Sequence, residues 1–212
     1  MGVQERRARQ KEELRQEILD AARELFAREG YENVSMRGIA EMIEYSPTTI
    51  YLYFQDKADL FDCVCEETLA KLGRKLTSLD GQGADPVEGL KKGLRAYVDF
   101  GLKHPNDYRV SFLSDVKPVE QPDRFSRCRE QGQKVFDHLR TSVRACVESG
   151  GFRQVDVEAT SQILWAAIHG ITSLLILRPR FPWVDRDVLV TTLIDTAVAG
   201  LASEAPAPAP VV

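Results

Sequence analysis

Thr48, Thr49 and Tyr51 stand within four residues of one another, with Arg37 upstream and Lys57 downstream, and this set is suited to recognition rather than to bond-making. A threonine offers a methyl for the C5-methyl of thymine and a hydroxyl for a base edge or a phosphate. A tyrosine hydroxyl suits a phosphate oxygen, and a lysine near a helix start suits the backbone charge of a duplex. No comparable set for covalent chemistry is present. There is no nucleophile elbow, phosphate loop or HExxH pattern, and His104, His138 and His169 do not fall at metal-ligand spacing. No catalytic residue, metal ligand or cofactor is therefore expected. Cys63 and Cys65, two apart in a helical pattern, project to nearly opposite faces, while Cys128 and Cys146 fall on an apolar stripe where a thiol acts as a small hydrophobe.

The elements that must position these side chains can be read from caps and periodicity. Ser35 is a good N-cap for a helix with Ile39, Ala40 and Ile43 on one face, running no further than about Glu44. Tyr45 breaks that pattern, and Ser46-Pro47 starts a new helix of about two turns with proline where no N–H is needed. Ile50 and Phe54 fall on one side of it, Thr48 and Leu52 on the other, and Thr49 and Tyr51 flank them. Asp56, with Asp59 three residues on, caps the next helix, whose first turn carries Lys57. The pattern is that of a helix-turn-helix. An ordinary helical hairpin with solvated threonines and a solvated lysine fits the same residues.

Ile18 to Leu60 resembles the DNA-binding domain of the TetR family of transcriptional regulators. The likeness lies in a first helix ending AAxxLFxxxGY, a second opening Ser-x-Arg-x-Ile-Ala, and a recognition helix ending Ile-Tyr-x-Tyr-Phe before Asp-Lys-x-x-Leu. It covers about the first third of the chain. The resemblance implies that Ser35 caps the second helix against a phosphate and that Arg37 reaches a base or phosphate. It implies base or sugar contacts from Pro47, Thr48, Thr49 and Leu52, and backbone clamps from Tyr51, Tyr53 and Lys57. Two departures stand out: position 38 is Gly, and Leu52 offers no hydrogen bond, so the operator sequence is not readable from this helix.

The chain has 212 residues, 43% of them hydrophobic, and so exceeds a lone DNA-binding unit of roughly 50 residues; a second domain is required. Its start is charged and polar, unlike a signal peptide, and the longest apolar stretch, Ile163 to Leu177, is short of a span and contains His169 and Gly170. A cytoplasmic protein with no membrane partner is expected. Residues 1 to 60 carry nine Lys or Arg against twelve Asp or Glu, a net charge of −3. This counts against indiscriminate DNA affinity and suits a protein whose two copies add their contacts. The expected division is a mobile basic arm at 1–9, a DNA-binding domain at 10–56, a ligand-binding and dimerisation domain at 57–203, and a flexible tail at 204–212.

The first helix is expected from about Lys11 to Glu29, with Leu14, Ile18, Ala22 and Leu25 inward and Gly30 as C-cap. Beyond Asp56 the signals are helical throughout: a linking helix to Leu76, a Gly- and Asp-rich loop, a helix from Asp85-Pro86 to His104-Pro105, and a short one through Phe112. After the Pro118–Pro122 break come a long amphipathic helix to Val147, a nearly all-apolar helix capped by Asp156, and a last helix from about Asp185 to Leu201. The fold expected is all-α, a three-helix helix-turn-helix domain plus a C-terminal bundle, about nine helices, dimeric. A helix apolar nearly all round needs cover on both sides. Leu164, Ile168, Ile171, Leu174 and Leu175, with Leu189, Leu193 and Ala197 on the last helix, are therefore expected at a two-fold four-helix interface.

Trp165, His169 and Gly170 resemble the Trp-x-x-x-His-Gly element of one C-terminal class of the same family; a satisfied core Trp and His is the plainer account. Together with Tyr97, Phe100, Phe112 and Phe136 they give an inward aromatic lining with few polar tips, suited to a small apolar or aromatic effector. The function expected is a ligand-responsive regulator, a repressor released by such an effector from a palindromic operator in double-stranded DNA. The competing reading is a helical small-molecule carrier or enzyme without a DNA role.

Overall fold

The computed structural model describes residues 2–81, 85–114, 116 and 123–203. Nine helices lie among them: α1 (Val3–Glu29), α2 (Met36–Met42), α3 (Pro47–Tyr51), α4 (Lys57–Thr77), α5 (Pro86–Lys103), α6 (Pro105–Phe112), α7 (Ser126–Glu148), α8 (Val157–Leu177) and α9 (Arg186–Ala199). The all-α expectation stands. The helix starts are where the sequence puts caps: Ser35 accepts the Gly38 N–H at 3.0 Å, Ser46 that of Thr49 at 3.2 Å, and Asp156 that of Ala159 at 2.9 Å. Asp56 accepts from the Asp59 N–H at 2.9 Å while Asp59 accepts from the Gln55 N–H at 2.8 Å, a reciprocal box at the head of α4.

α1 departs from expectation. It begins at Val3 rather than near Lys11, so residues expected as an arm are helical. Gln, Glu, Arg, Ala and Lys, which fill this stretch, are all good helix formers, and the exposed Arg9–Glu13 pair at 2.8 Å supports them at i,i+4 spacing. The expectations for 118–122 and 204–212 fall outside the described residues.

Two compact units are present: Met1–Lys71 with His104–Gln133, and Leu72–Lys103 with Lys134–Val212. The division passes through α4 and α7 instead of at 56/57, and the first unit takes in α6 as well as the reading helices. Its core joins Ile18, Phe26, Ile39, Ile50, Phe54 and Phe61. The edge-on rings of Phe26, Tyr31 and Phe125 stand 5.1–5.8 Å from Phe61. Leu60 to Cys65 of α4 are buried on every side, so Cys63 and Cys65 both lie inside despite projecting apart. The largely buried Arg23 of this unit is paired: it meets Asp20, Glu67 at 3.1 Å and Asp107 at 2.7 Å.

In the second unit α5 packs on α8 and α9, which also pack on each other. Lys91 of α5 pairs with Asp195 of α9 at 2.9 Å, and Arg140 of α7 with Glu158 of α8 at 2.8 Å. By length and composition alone α8 could cross a membrane, longer than the apolar run expected from sequence. Yet it buries Thr160, Ser161 and Thr172, two of whose hydroxyls bond back to carbonyls of the same helix.

Candidate functional site

The helix-turn-helix is built by α2 and α3, which pack on each other with α1 against α2. Between them Glu44 has φ of 58°, among the described residues the one non-glycine with positive φ, and the Tyr45 N–H donates to Ala40 O at 2.9 Å. This tight reversal sets Ser46 as the cap of α3. Ile50 and Phe54 are buried, which fixes the roll of a five-residue helix and leaves its other side open. Pro47, Thr48, Tyr51 and Leu52 are exposed there, Leu52 to 75% and Tyr51 to 54%.

The remaining expected contact residues are engaged within the chain. Arg37 is exposed, with Nε 2.9 Å from Glu41 Oε1. The Ser35 hydroxyl caps α2, and a Cβ at Gly38 would lie in van der Waals contact with it at 3.4 Å. Thr49 is half-buried and its hydroxyl stands 2.9 Å from that of Ser46. Tyr53 packs against the edge of the core. Lys57 Nζ donates to Tyr31 O at 2.7 Å and Glu32 O at 3.3 Å and lies 4.3 Å from the Tyr31 ring centroid. Lys57 is thus a brace between the turn that follows α1 and the head of α4.

Four of the six residues expected to hold an effector come together in the second unit. The Tyr97 hydroxyl is 3.2 Å from His169 Nδ1 and accepts from Trp165 Nε1 at 3.3 Å; the Trp165 ring lies 6.0 Å from Phe136 and 5.5 Å from His169. Burial lowers the His169 pKa, so its ring is neutral at neutral pH. Phe100 is buried in the same unit, on α5. Phe112 is not part of this group: it belongs to the first unit, its ring 4.7 Å from that of Tyr108. Trp165 does not face wholly inward either, since 40% of it is exposed. A Cβ on Gly170 would meet no heavy atom within 4 Å, so among the described residues no other helix comes into contact there.

A separate groove of about 280 Å³ lies between the end of α4, the start of α5 and α7. Leu76, Leu90 and Ala145 give it apolar walls, Gly89 and Gly93 a bare backbone floor, and His138 and Ser142 polar atoms. None of the six expected effector residues lines it. The one sequence signal that could have marked it is the pair of glycines four apart on α5.

The expected dimer face needs correction. Leu164, Ile168 and Leu175 are core residues of the second unit, exposed by 1%, 4% and 8%. Ile171, Leu189, Leu193 and Ala197 are half-buried, and Leu174 is exposed to 47%. The uncovered side of α8 also carries Ile163, Ala166 and Leu177, and Val188 is exposed on α9. A helix apolar all round gives no periodic signal separating its inner from its outer face, which is why these were missed.

Comparison with known proteins accords with this geometry. The family profile described as bacterial regulatory proteins, tetR family, matches residues 18–64, and that of a tetracyclin repressor-like C-terminal domain matches residues 90–199. The chain is 30% identical over 147 residues to the HTH-type transcriptional repressor NicS of Pseudomonas putida, covering 69% of each. It is 40% identical over 131 residues to the HTH-type transcriptional repressor AcnR of Corynebacterium glutamicum, covering 58% of this chain and 70% of that one. In fold it is similar to the transcriptional regulator FadR of Bacillus subtilis in complex with stearoyl-CoA, with a TM-score of 0.75 at 20% identity over 88% of this chain and 98% of that one.

Proposed function

The chain belongs to the tetR family of bacterial regulatory proteins, and from that premise we propose that it is a ligand-responsive repressor. As a cytoplasmic homodimer it binds a palindromic operator and leaves it when a small apolar or aromatic effector binds. The observation that carries this reading is the open side of α3, where Thr48, Tyr51 and Leu52 stand clear of the protein while Ile50 and Phe54 anchor the helix from behind. That side is free to enter a major groove. Thr48 and Leu52 supply base contacts, Tyr51 and Arg37 reach phosphates, and Lys57 and Ser35 hold the helix starts against the backbone.

Two copies pair through the uncovered sides of α8 and α9, with Ile163, Ala166, Gly170, Leu174 and Leu177 at the seam. The open space over Gly170 and the exposed apolar strip around it support this. A second α8 on that strip, and not lipid, covers the apolar helix. Tyr97, Phe136, Trp165 and His169 take the effector, the three polar tips orienting it among the rings. α4 runs without a break from Lys57 at the reading end past Gly73, where a Cβ would lie 3.7 Å from the side chain of Val135, the neighbour of Phe136. An effector that favours one setting of this helix weakens DNA binding by its differential affinity, about 1–3 kcal/mol in typical cases.

A gel-shift assay with a duplex from the gene's own upstream region tests the reading. A retarded complex of two chains per duplex, lost on adding a hydrophobic compound that also raises the melting temperature, is the expected result. A monomer that retards no duplex overturns it.

A further inference from the structure

The first three turns of α1 overhang the body of the first unit, and the underside of the overhang is basic. Residues 4–13 are all exposed, so at 1.5 Å per residue the helix projects about 15 Å beyond its core. At 100° per residue, the face that buries Ile18, Ala22 and Leu25 continues back through Arg15, Lys11 and Arg7. Where the helix lies over the core this face is apolar; where it overhangs, cations replace the apolar residues at i, i+4 spacing. Glu5, Glu12 and Glu13 sit about 100° or more around the helix from Lys11, and Glu13 is taken by Arg9 at 2.8 Å. Arg7 and Lys11 have no hydrogen bond or ion pair among the described residues.

The stripe enters the first unit beside the reading helix. Arg15 lies 5.5 Å from the ring centroid of Phe54, three residues beyond the end of α3, and reaches Glu67 at 3.6 Å. We propose that the underside of α1 is a second nucleic-acid contact, in which Arg7 and Lys11 take duplex phosphates flanking the bases that α3 reads. This rests on the DNA-binding function proposed above. Two observations single out a phosphate backbone as the occupant. One is charge: unpaired cations with no carboxylate on their face, in a reading segment whose net charge over residues 1–60 is −3. The other is continuity, since Arg15 at the inner end of the stripe lies against Phe54, which anchors α3 from behind. Phosphate contacts carry no base information, so this element adds affinity for all duplexes alike.

The test measures the salt dependence of binding for the full chain on two duplexes, one from its own upstream region and one of random sequence. Arg7→Gln with Lys11→Gln should lower the slope of log K against log salt by about 1.8 per subunit, on both duplexes, with an unchanged melting temperature. Arg9→Gln, on the other side of the helix and already paired, should leave the slope within about half a unit of the wild type. An unchanged slope in the double variant overturns the inference while leaving the DNA-binding reading intact, and so does an equal loss in Arg9→Gln. A wild-type chain that binds neither duplex overturns both.

Discussion

Asp62 of α4 holds Arg127 at the start of α7 through two of its donors, accepting from Nε at 2.9 Å and from the backbone N–H at 3.3 Å. The other carboxylate oxygen accepts the Cys128 N–H at 2.8 Å, so one buried side chain caps a neighbouring helix and pairs with a charge on it. Burial works against the Arg127 charge, but hydrogen bonds to Asp59 and Asp62 prevail and its pKa is raised. Asp62→Ala should cost about 2–3 kcal/mol, because it strands two backbone donors at the start of α7, while Arg127 keeps Asp59 as a partner. Asp62→Asn should cost less, since an acceptor remains. Urea unfolding of the two variants measures this, and a loss below about 1 kcal/mol for Asp62→Ala would contradict the capping role.

Thr48 and Thr49 look equivalent in sequence and differ in place. Thr48 is exposed, whereas the Thr49 hydroxyl is tied to Ser46. Thr48→Ala should change the ranking of operator variants with little effect on melting, while Thr49→Ala should destabilise α3 by about 0.5–1 kcal/mol. Competition binding against a set of single-base variants, beside thermal melts, separates the two effects. A shift in base preference from Thr49→Ala alone would reverse the assignment.

Lys57→Ala should act on two quantities at once. Loss of the two carbonyl contacts at Tyr31 and Glu32 lowers stability by about 1 kcal/mol. Loss of a phosphate contact lowers the salt slope by about one unit per subunit, on every duplex. A change in stability without any change in slope would leave Lys57 as a brace only.

Leu174 and Leu164 lie ten residues apart on the same helix, one exposed and one in the core. Leu174→Glu should give a folded monomer with full helical content and no operator binding. Leu164→Glu should fail to fold, because a carboxylate cannot be buried unpaired among apolar groups. Sedimentation and circular dichroism read both. A Leu174→Glu chain that still sediments as a dimer would place the interface elsewhere.

His169 predicts a pH effect of definite sign. Its folded pKa is lowered by burial from the usual 6.5, so below that pH the unfolded chain takes up the proton more readily. Stability from this group is complete above about pH 6.5 and is lost as pH falls toward the depressed folded value. Melting temperatures at pH 5 and pH 7.5 should differ more for the wild type than for His169→Gln. Equal differences would show that His169 is not held neutral.

The parts of the fold that could be read from sequence are those set by local chemistry. Ser35, Ser46, Asp56 and Asp156 each accept backbone N–H groups a few residues on, and those bonds depend on nothing distant. Ile50 and Phe54 against Thr48 and Leu52 follow from helical geometry alone. What could not be read depended on partners far along the chain. The inner and outer sides of α8 are decided by α5 and α9, and the sequence of α8 is apolar on both. Lys57 meets carbonyls 25 and 26 residues away. The start of α1 was missed for another reason, since a charged stretch of good helix formers has no apolar periodicity to announce it.

The pairing of Arg37 with Glu41 bears on how the protein finds its target. Both side chains are largely in water, so the pair is worth at most about 1 kcal/mol and yields readily to a phosphate in good register. Where no phosphate stands in register, Glu41 keeps the guanidinium, so the pair rewards a contact that fits and withholds the charge from one that does not.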